Sequence, residues 1–425
     1  MKFIDLFAGL GGFHVALEKL GHECVFASEI KDNLRNLYEK NFGIKPAGDI
    51  KAIDIIKDVP EHDILCAGFP CQPFSKAGNQ QGLKDKKNGN LFDSIVEVLE
   101  NKKPTYFILE NVRNLISHNN AETYLHIENK LKGLGYEVDK KIYSPHHIGI
   151  PQHRERLFIV GSRNSLTNFY WPEKSDKDTN INDFLGKTKS SKKIEDKKIK
   201  VIQLWQDFLD SIDGKELPCA PIWSMEFGAT YPFEDKTPYA TINLCEYKGS
   251  FGKPLKGIDK GEQLKRLPRY ARKEEDEFPE WKKKYIRNNR NFYKKHKKTL
   301  SSIVEKISRL PSESLQKFEW NIKEIKTDRN INQYLIQFRG SGVRVKKTNF
   351  FPSLVTVGAQ IPIIGKEMRY LTREEGARLQ SMEDIELPQD LSVCFSALGN
   401  AVNVNIVSII AKNLLKGKGK GKGKG

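Results

Sequence analysis

Over residues 1–163 the sequence alternates between short apolar runs and amphipathic segments, a pattern that few fold classes satisfy. The strand-like runs are KFIDLFAG, ECVFASE, HDILCAGF, TYFILEN and IPQHRERLFIVG. The helix-like segments between them are FHVALEKLG, DNLRNLYEKNFG, NGNLFDSIVEVLENKKP and a segment containing IENKLKGLGY. Strands that alternate with helices predict an α/β fold with a doubly wound, mostly parallel sheet.

The character of the chain changes after residue 163, which predicts a second, smaller domain. Residues 164–385 are largely polar and charged and end in the helical motif YLTREEGARLQSM. The apolar stretch SALGNAVNVNIVSIIAKNLL predicts one long helix, and we expect residues 386–412 to return and complete the first domain. Residues 413–425 lead into a Lys-Gly repeat that we predict to be disordered.

The charge of the chain points to a polyanionic partner. Its net charge is +17, and the terminal Lys-Gly repeat accounts for only five of the lysines. Residues 282–298, KKKYIRNNRNFYKKHKK, hold nine Lys and Arg residues and no acid. Nucleic acid is the simplest partner for such a chain, and a surface that is merely solubilising is the alternative.

Cysteine usage and hydropathy indicate a cytoplasmic protein. The six cysteines are irregularly spaced and none forms a Cys-x-x-Cys pair, so we expect neither a disulfide framework nor a metal site. No run of eighteen apolar residues predicts a membrane span, and the N-terminus does not resemble a signal peptide. We therefore expect no membrane partner.

Polar or reactive residues follow several of the predicted strands. The first strand ends in a glycine turn with Gly9 and Gly11, the second ends at Glu29, and Asp49 lies near a later turn. Ligands of open α/β sheets bind at the carboxyl ends of strands, and Glu29 could accept hydrogen bonds from a ribose. The turn lacks the full GxGxxG pattern because His14 stands at its last position, so an adenosine-bearing cofactor and a simple tight turn both fit.

Cys71 and Glu110 are candidates for covalent chemistry. The sequence PCQP takes Cys71 out of any sheet, because proline cannot donate to a ladder, and Glu110 follows the apolar run YFIL. A thiolate is a strong carbon nucleophile, and a desolvated carboxyl with a raised pKa can protonate a neighbour. This pair suits attack on an electron-poor ring such as cytosine, although a lone cysteine is more often structural.

Two arginines precede the last apolar strand in the motif QHRER. Side chains alternate along a strand, so Arg154 and Arg156 should share one face, with His153 and Glu155 on the other. The guanidinium groups could bind a base carbonyl or a phosphate, or orient Glu110. An ordinary edge strand with ion pairs is the alternative.

Together these motifs resemble the cytosine-C5 DNA methyltransferase family. The segments DLFAGLGGF, PCQPFS, ENV, QHRER, LTREEGARLQ and GNAV occur in the order of that family and cover residues 1–163 and about 365–412. The resemblance implies a Rossmann-like catalytic domain at 1–163, a target-recognition lobe at 164–385, and S-adenosylmethionine as cofactor. It also implies a target cytosine that is flipped out of double-stranded DNA.

The resemblance assigns roles to individual residues. Cys71 would be the nucleophile at cytosine C6, Glu110 would contact N3, and Arg154 would hold the O2 side with support from Arg156. The implied cofactor-site residues are Phe7, Gly9, Gly11, Glu29, Asp49, Ile50, Pro70 and Asn400. At Ala77 the sequence departs from relatives that carry a small polar residue there, so the residue that fills the space of the flipped base stays open.

The target-recognition lobe should combine phosphate contacts with contacts to base edges. The segment FRGSGVRVKKTNFFPSLVT is the candidate for part of this surface, with Arg339, Arg344, Lys346 and Lys347 as DNA-binding residues. A strand-turn-strand with a solvated face is the alternative for each of them.

The resulting hypothesis is a stand-alone bacterial DNA (cytosine-5-)-methyltransferase, monomeric and associated with the nucleoid through DNA. Its relatives often work beside a restriction endonuclease, which would be a functional partner. Two other functions stay open: a methyltransferase acting on transfer RNA, and a catalytically idle DNA-binding protein.

Overall fold

The computed structural model describes residues 1–69, 91–175, 177–186, 191–213, 216–217, 220–322, 328–354 and 360–416. These residues form two compact units. The first comprises Met1–Lys187, Asn349–Gly358 and Thr372–Gly425, and the second comprises Thr188–Thr348 and Ala359–Leu371.

The first unit contains the predicted alternation of strands and helices. Its strands are β1 Lys2–Leu6, β2 Glu23–Ser28, β3 Ile64–Gly68, β4 Tyr106–Val112, β5 Glu137–Tyr143, β6 Gln152–His153, β7 Arg156–Ser162 and β12 Phe351–Pro352. Its helices are α1 Gly12–Glu18, α2 Asp32–Phe42, α3 Ile55–Asp58, α4 Leu91–Lys102, α5 Glu122–Gly133, α9 Arg373–Gln380, α10 Leu391–Asn400 and α11 Val404–Leu414. The labels of the remaining elements, which belong to the second unit, follow chain order.

Six of these strands form one sheet in the order β2-β1-β3-β4-β7-β5. The strands β1, β2, β3 and β4 are mutually parallel, whereas β7 runs antiparallel to both β4 and β5. The predicted doubly wound, mostly parallel sheet is confirmed. The chain reverses its winding direction at β1, so the carboxyl ends of β1 and β3 flank the crevice where sheets of this kind bind ligands.

The antiparallel strand β7 has a consequence for the site. Because it runs against β4, its first residue, Arg156, pairs with Val112 at the carboxyl end of β4. The arginines of QHRER therefore lie at the same edge of the sheet as the end of ENV. The core behind this edge is built from apolar residues of the strands and of α4 and α5, among them Leu65, Phe107 and Leu157, which are fully buried.

The second unit is a sheet packed with helices. Its strands are β8 Ile222–Trp223, β9 Lys317–Asn321, β10 Leu335–Arg339, β11 Gly342–Lys346, β13 Ile363–Ile364 and β14 Arg369–Tyr370, in the order β14-β13-β10-β11-β9-β8. Its helices are α6 Asp196–Asp210, α7 Lys260–Lys265 and α8 Glu280–Ser308. On one side of the sheet the ring of Phe318 stacks on that of Trp205 at 4.8 Å between centroids.

The compact units do not follow the predicted boundaries at residues 163 and 385. The helix α9, which the sequence interpretation placed in the second lobe, belongs to the first unit. A Cβ on Gly376 would lie 2.9 Å from Leu398 and 3.1 Å from Phe395, so α9 packs directly on α10. The tail predicted to be disordered begins at residue 413, but α11 extends to Leu414, and residues 417–425 lie outside the described residues.

The prediction of one long helix near the C-terminus is wrong. The stretch forms α10 and α11, separated by Ala401, Val402 and Asn403. The side chain of Asn403 accepts a hydrogen bond from the backbone N–H of Ile406 at 3.1 Å and caps α11. Taken together, Leu391–Leu414 is long and apolar enough to cross a membrane by length and composition alone, yet 67% of its most apolar window is buried within the protein.

The basic run 282–298 lies entirely in α8, and many of its charges are already paired. Acidic residues outside the run supply the partners: Lys283 pairs with Glu277 at 2.6 Å, Arg287 with Glu234 at 2.6 Å, and Arg290 with Glu226 at 2.9 Å. Lys295 also pairs with Glu216. In the described part of the run 282–298, the side chains of four lysines form neither an ion pair nor a hydrogen bond and are exposed: Lys284, Lys294, Lys297 and Lys298.

Asp5 on β1 is a buried acid in the core of the first unit. Its side chain is fully buried. Burial raises the pKa of Asp5 well above its ordinary value; the backbone N–H of His14 lowers the pKa by less, and the negative charge of Glu29 raises it further. The folded state therefore favours the protonated form of Asp5.

We expect the Asp5→Asn variant to weaken the dependence of stability on pH. A raised pKa in the folded state stabilises the protein at low pH, and this contribution is lost as pH rises through the raised pKa, because the unfolded chain ionises first. The midpoint of urea unfolding, measured between about pH 5 and pH 9, should fall less with pH in Asp5→Asn than in the wild type.

The matched control is Glu97→Gln, which neutralises an exposed carboxylate on α4. This change should leave the pH dependence of the midpoint as it is in the wild type. Equal slopes for wild type and Asp5→Asn would show that the buried acid is ionised in the folded state.

Candidate active site at the carboxyl edge of the sheet

The turn between β1 and α1 has the open backbone that the glycines predict. Phe7, Gly9 and Gly11 have φ angles of 58°, 56° and 79°, in the left-handed region. Among the described residues, a Cβ on Gly9 would meet only the carbonyl oxygen of Phe7, at 4.0 Å, so they leave the space above this residue open. The main chain can therefore approach a ligand closely here.

Glu29 is part of this turn. It is 8% exposed, and its carboxylate accepts the backbone N–H of Gly9 at 3.0 Å and that of Lys31 at 2.9 Å. Each carboxylate oxygen keeps a further lone pair for a ligand. The end of β2 and the glycine turn are thus joined by the residue that the sequence predicts to bind a ribose.

The other predicted cofactor residues are distributed around the same edge. Asp49 caps the short 3-10 helix Ile50–Ala52 through the N–H of Lys51 at 3.1 Å, and Ile50 is buried in the core with Leu6. Asn400 is the exposed last residue of α10. A Cβ on Gly12 would lie 2.6 Å from Val402, so the start of α1 packs against the segment just after Asn400.

Glu110 is one of the residues that line a small pocket within the first unit. It pairs in register with Gly68, the last residue of β3, and a Cβ on Gly68 would lie 3.6 Å from Glu110 Oε2. The pocket is lined by Glu110, Pro145, Arg154, Arg156, Phe158, Val402, Asn403 and Ile406.

The environment of Glu110 combines burial with positive charge. The residue is 7% exposed, and its Oε1 is 3.0 Å from Nε of Arg156. Burial raises the pKa of Glu110, and the opposing effects of Arg156 and Arg154 are smaller. The carboxyl group is thus held near two cations and still favours its protonated form more than a solvated glutamate does.

Arg154 is buried and fixed by backbone carbonyl groups. Its Nη2 donates to the carbonyl oxygen of Ala401 at 3.0 Å, and its Nη1 donates to that of Leu354 at 3.4 Å and to Oγ of Ser353 at 3.3 Å. Its own N–H donates to Oγ of Ser144 at 2.8 Å. The break between α10 and α11 therefore has a function in the site, because it exposes a carbonyl group that holds this guanidinium.

The predicted alternation of side chains in QHRER is confirmed. Arg154 and Arg156 both line the pocket of Glu110, whereas His153 is exposed and Glu155 points away to an ion pair with Arg113 at 2.7 Å. Arg113 directly follows β4. The pair joins the segment after ENV to QHRER on the side opposite the pocket.

Several contacts that hold the site were not predicted from the sequence. Asn111, 1% exposed, donates from Nδ2 to the carbonyl oxygen of Phe69 at 3.3 Å and so fixes the chain just after β3. The position of Asn111 in the motif ENV, directly after Glu110, could have marked it as a residue of the site. Ser353, Leu354 and Ala401 carry no such signal, because their contacts with Arg154 use backbone carbonyls or join residues that are distant in the sequence.

Three sequence-predicted positions lie outside the described residues. They are Pro70, the proposed nucleophile Cys71, and Ala77. Within the described ranges the thiols of Cys24, Cys66, Cys245 and Cys394 are free, and no group of three His, Cys, Asp or Glu side chains is arranged to hold a metal ion.

The predicted DNA-binding residues lie in the second unit, on β10 and β11. These strands form an antiparallel hairpin in which Gln337 pairs with Arg344 and Arg339 with Gly342. Arg339, Arg344 and Lys346 occupy alternate positions on one face, while Val343 and Val345 are buried on the other. Lys347 directly follows β11.

Comparison with known proteins agrees with this architecture. The chain is 44% identical over 187 residues to the type II methyltransferase M.HhaI of Haemophilus parahaemolyticus, covering 44% of this chain and 57% of that protein. It is 48% identical over 172 residues to the type II methyltransferase M.NgoBI of Neisseria gonorrhoeae, covering 40% of this chain and 53% of that protein. The matches thus span little more than half the length of these relatives.

A solved structure shares the fold along nearly the whole chain. The methyltransferase EhMeth of Entamoeba histolytica superposes with a TM-score of 0.51 and 14% identity, covering 97% of this chain and 97% of that one. The profile of the family described as C-5 cytosine-specific DNA methylase matches residues 1–216 and 236–416. With its motifs gathered at one edge of the sheet and this profile matched over most of its length, the chain belongs to the C-5 cytosine-specific DNA methylase family.

Proposed function

We propose that this protein is a DNA (cytosine-5-)-methyltransferase that transfers a methyl group from S-adenosylmethionine to C5 of a cytosine in a short duplex site. The observation that carries the proposal is the buried carboxyl group of Glu110 beside Arg154 and Arg156, at the end of the strand next to the one that leads to Cys71. Cys71 is two residues beyond Phe69, a span of at most about 7 Å of extended chain.

The proposed chemistry begins with the addition of the Cys71 thiolate to C6 of cytosine. The carbon–sulfur bond forms as the C5–C6 double bond opens, and Glu110 donates a proton to N3, so that negative charge does not accumulate on the ring. The resulting enamine is nucleophilic at C5, which takes the methyl group. Loss of the C5 proton and departure of the sulfur as thiolate then restore the double bond, and N3 returns its proton to the Glu110 carboxylate.

The arginines orient the base and the acid in this scheme. Arg154 is fixed by the carbonyl oxygens of Ala401 and Leu354, which suits it to hold the O2 side of the ring in one position. Arg156 contacts Glu110 and prevents its carboxyl group from turning away. These interactions are already formed in the protein without substrate. Donors oriented in advance lower the barrier to reaction because they need no reorganisation in the transition state.

The turn at the end of β1 fits the proposed cofactor. The open space above Gly9 admits a ligand against the main chain, and Glu29 retains acceptor capacity for ribose hydroxyl groups. Phe7, Gly11, Asp49, Ile50, Pro70 and Asn400 complete the proposed cofactor site. When bound, S-adenosylmethionine supplies an electrophilic methyl group on a sulfonium.

The proposed substrate is duplex DNA with the target cytosine flipped out, because C5 and C6 are inaccessible in the base stack. We assign target recognition to the second unit, with Arg339, Arg344, Lys346 and Lys347 as DNA contacts. We further propose a monomer that is cytoplasmic and associated with the nucleoid, and that works beside a cognate restriction endonuclease, as type II methyltransferases suggest.

Two alternatives make different predictions. A transfer RNA methyltransferase would incorporate methyl groups into transfer RNA and not into duplex DNA. An idle DNA-binding protein would bind duplex DNA without incorporation. The buried carboxyl group of Glu110 beside Arg156 favours an active enzyme over the idle DNA-binding protein, and the DNA methylase profile favours DNA over transfer RNA.

We expect covalent trapping on DNA that carries 5-fluorocytosine at the target position. Fluorine cannot leave as a cation, so the adduct with Cys71 persists after methyl transfer. With S-adenosylmethionine present, the wild type should give a protein–DNA band that survives denaturing electrophoresis, and Cys71→Ser should give none. The mechanism is refuted by a wild type that methylates cytosine but is not trapped, or by a trapped Cys71→Ser variant.

The raised pKa of Glu110 predicts a specific pH profile for methyl transfer. If its protonated form is the working acid, kcat/KM should fall as pH rises through the raised pKa, while thiolate formation raises the rate on the acidic side. Glu110→Gln cannot donate this proton, so the rate should fall by about 10²- to 10⁴-fold and the alkaline decline should disappear.

Glu155→Gln is the matched control for this experiment. It removes a carboxylate from the neighbouring segment, but that carboxylate pairs with Arg113 and points away from the pocket. The pH profile of this variant should match that of the wild type. An alkaline decline that persists in Glu110→Gln would assign the titration to another group.

The exposed lysines of α8 are the part of the basic run that we expect to bind phosphates. Lys284 and Lys298 are separated by about 21 Å along the helix, and Lys294 lies between them. Replacing Lys284, Lys294 and Lys298 together with Gln should reduce the slope of log Kd against log salt by roughly one for each phosphate that the variant no longer neutralises. The affinity should fall equally for all DNA sequences.

The control for this variant is Arg287→Gln on the same helix, whose cation is already neutralised by Glu234. Its salt slope should equal that of the wild type. A triple variant with an unchanged slope would mean that α8 does not contact the DNA backbone.

A further inference from the structure

The hairpin face of the second unit contains one carboxylate among its cations. Glu319 on β9 pairs in register with Arg344 on β11, so both side chains lie on the same face of the sheet. Oε2 of Glu319 accepts a hydrogen bond from Nε of Arg344 at 2.6 Å. Their side chains are 21% and 25% exposed, so the bond is shielded from water but open on one side.

This bond fixes the arginine and leaves its terminal nitrogens available. Nε is the only side-chain nitrogen of Arg344 that has a hydrogen-bond partner within the described residues. The two terminal nitrogens therefore form an unused fork of parallel N–H donors. The contrast is Arg287 on α8, where both Nε and Nη2 are bound by Glu234, at 2.8 Å and 2.6 Å.

The cations that flank Arg344 have a different environment. Burial and the nearby charge of Arg344 lower the pKa of Arg339 and of Lys346, and Glu319 offsets this effect only in part. The face thus has more positive than negative charge, as a surface that meets a polyanion should. Glu319 is nearest to Arg344, however, and its negative charge would repel a phosphate placed on the same guanidinium.

A neutral partner with two adjacent acceptors fits the fork of Arg344 better than a phosphate. In the major groove, guanine presents O6 and N7 side by side, and an arginine binds both at once. A carboxylate on Nε neutralises the cation and holds its plane without using the two donors that such a contact requires.

We propose that Glu319 is a positioning residue that orients Arg344 to read a guanine in the recognition site. This inference rests on the proposed function in one respect only, namely that the second unit contacts duplex DNA. It predicts that the recognition sequence contains at least one G·C pair whose identity depends on Arg344 and Glu319 together.

The test uses the full-length protein to select bound duplexes from a pool with a randomised segment, followed by sequencing. Wild type should enrich a site that contains a guanine. Arg344→Lys should lower the preference for guanine at one position by about 5- to 150-fold, since an ammonium group lacks the bidentate fork. Glu319→Ala should lower the preference at the same position, and Glu319→Gln should retain most of it because its amide oxygen still accepts from Nε.

The controls separate base reading from other roles. Glu234→Ala, which removes the carboxylate from Arg287, should leave every position of the selected sequence unchanged. If Arg344→Lys keeps the guanine preference while Arg344→Gln weakens binding equally for all sequences and lowers the salt slope by about one, Arg344 contacts a phosphate and the proposal is wrong. The proposal is equally overturned if Glu319→Ala keeps full guanine preference, or if no variant changes it.

Selection by binding keeps this test independent of methyl transfer. A protein that selects its site but fails to methylate refutes the proposed catalytic function and leaves the role of Glu319 standing. A protein that methylates normally in both Glu319 variants with unchanged sequence preference refutes only the role of Glu319.

Discussion

The close approach of one buried carboxyl group to two arginines is the constraint on which the active-site edge depends. Glu110 is removed from water at the end of β4, where an isolated carboxylate would be costly. Arg156 reaches Glu110 because β7 runs antiparallel to β4. The start of β7, in QHRER, therefore lies beside the end of β4, in ENV. An all-parallel sheet would have put these motifs at opposite edges.

A second layer of contacts keeps the arginines in place, and it consists mainly of backbone groups. Arg154 donates to the carbonyl oxygens of Ala401 and Leu354, which belong to segments far away in the sequence. Ala401 can accept this bond because α10 ends at Asn400 and Asn403 starts a new helix. An uninterrupted helix would have buried that carbonyl group in its own hydrogen bonds, so the break stabilises the site at the cost of helix continuity.

Local sequence patterns predicted the fold of the first unit because its strands are apolar and bounded by glycine, proline or acidic residues. The edge strand β5, with the sequence EVDKKIY, was missed because only one side of it is covered and its composition is mostly polar. The sharing of one face by Arg154 and Arg156 was predictable from alternation alone. The contact of Arg154 with Ala401 was not, because it joins residues 247 positions apart and uses a main-chain atom.

The charge of the sequence was the least useful feature for predicting which individual cations are available to a partner. The run 282–298 contains no acid, yet Glu216, Glu226, Glu234 and Glu277 reach it from elsewhere in the second unit and neutralise much of it. The tertiary structure thus divides one basic segment into cations that stabilise the unit and cations left for a partner. The hairpin face divides its cations in the same way, since Glu319 contacts Arg344 and no carboxylate of the described residues forms an ion pair with Arg339. In both places the position of a carboxylate decides which nitrogens of an arginine are already bound and which stay available for another hydrogen bond.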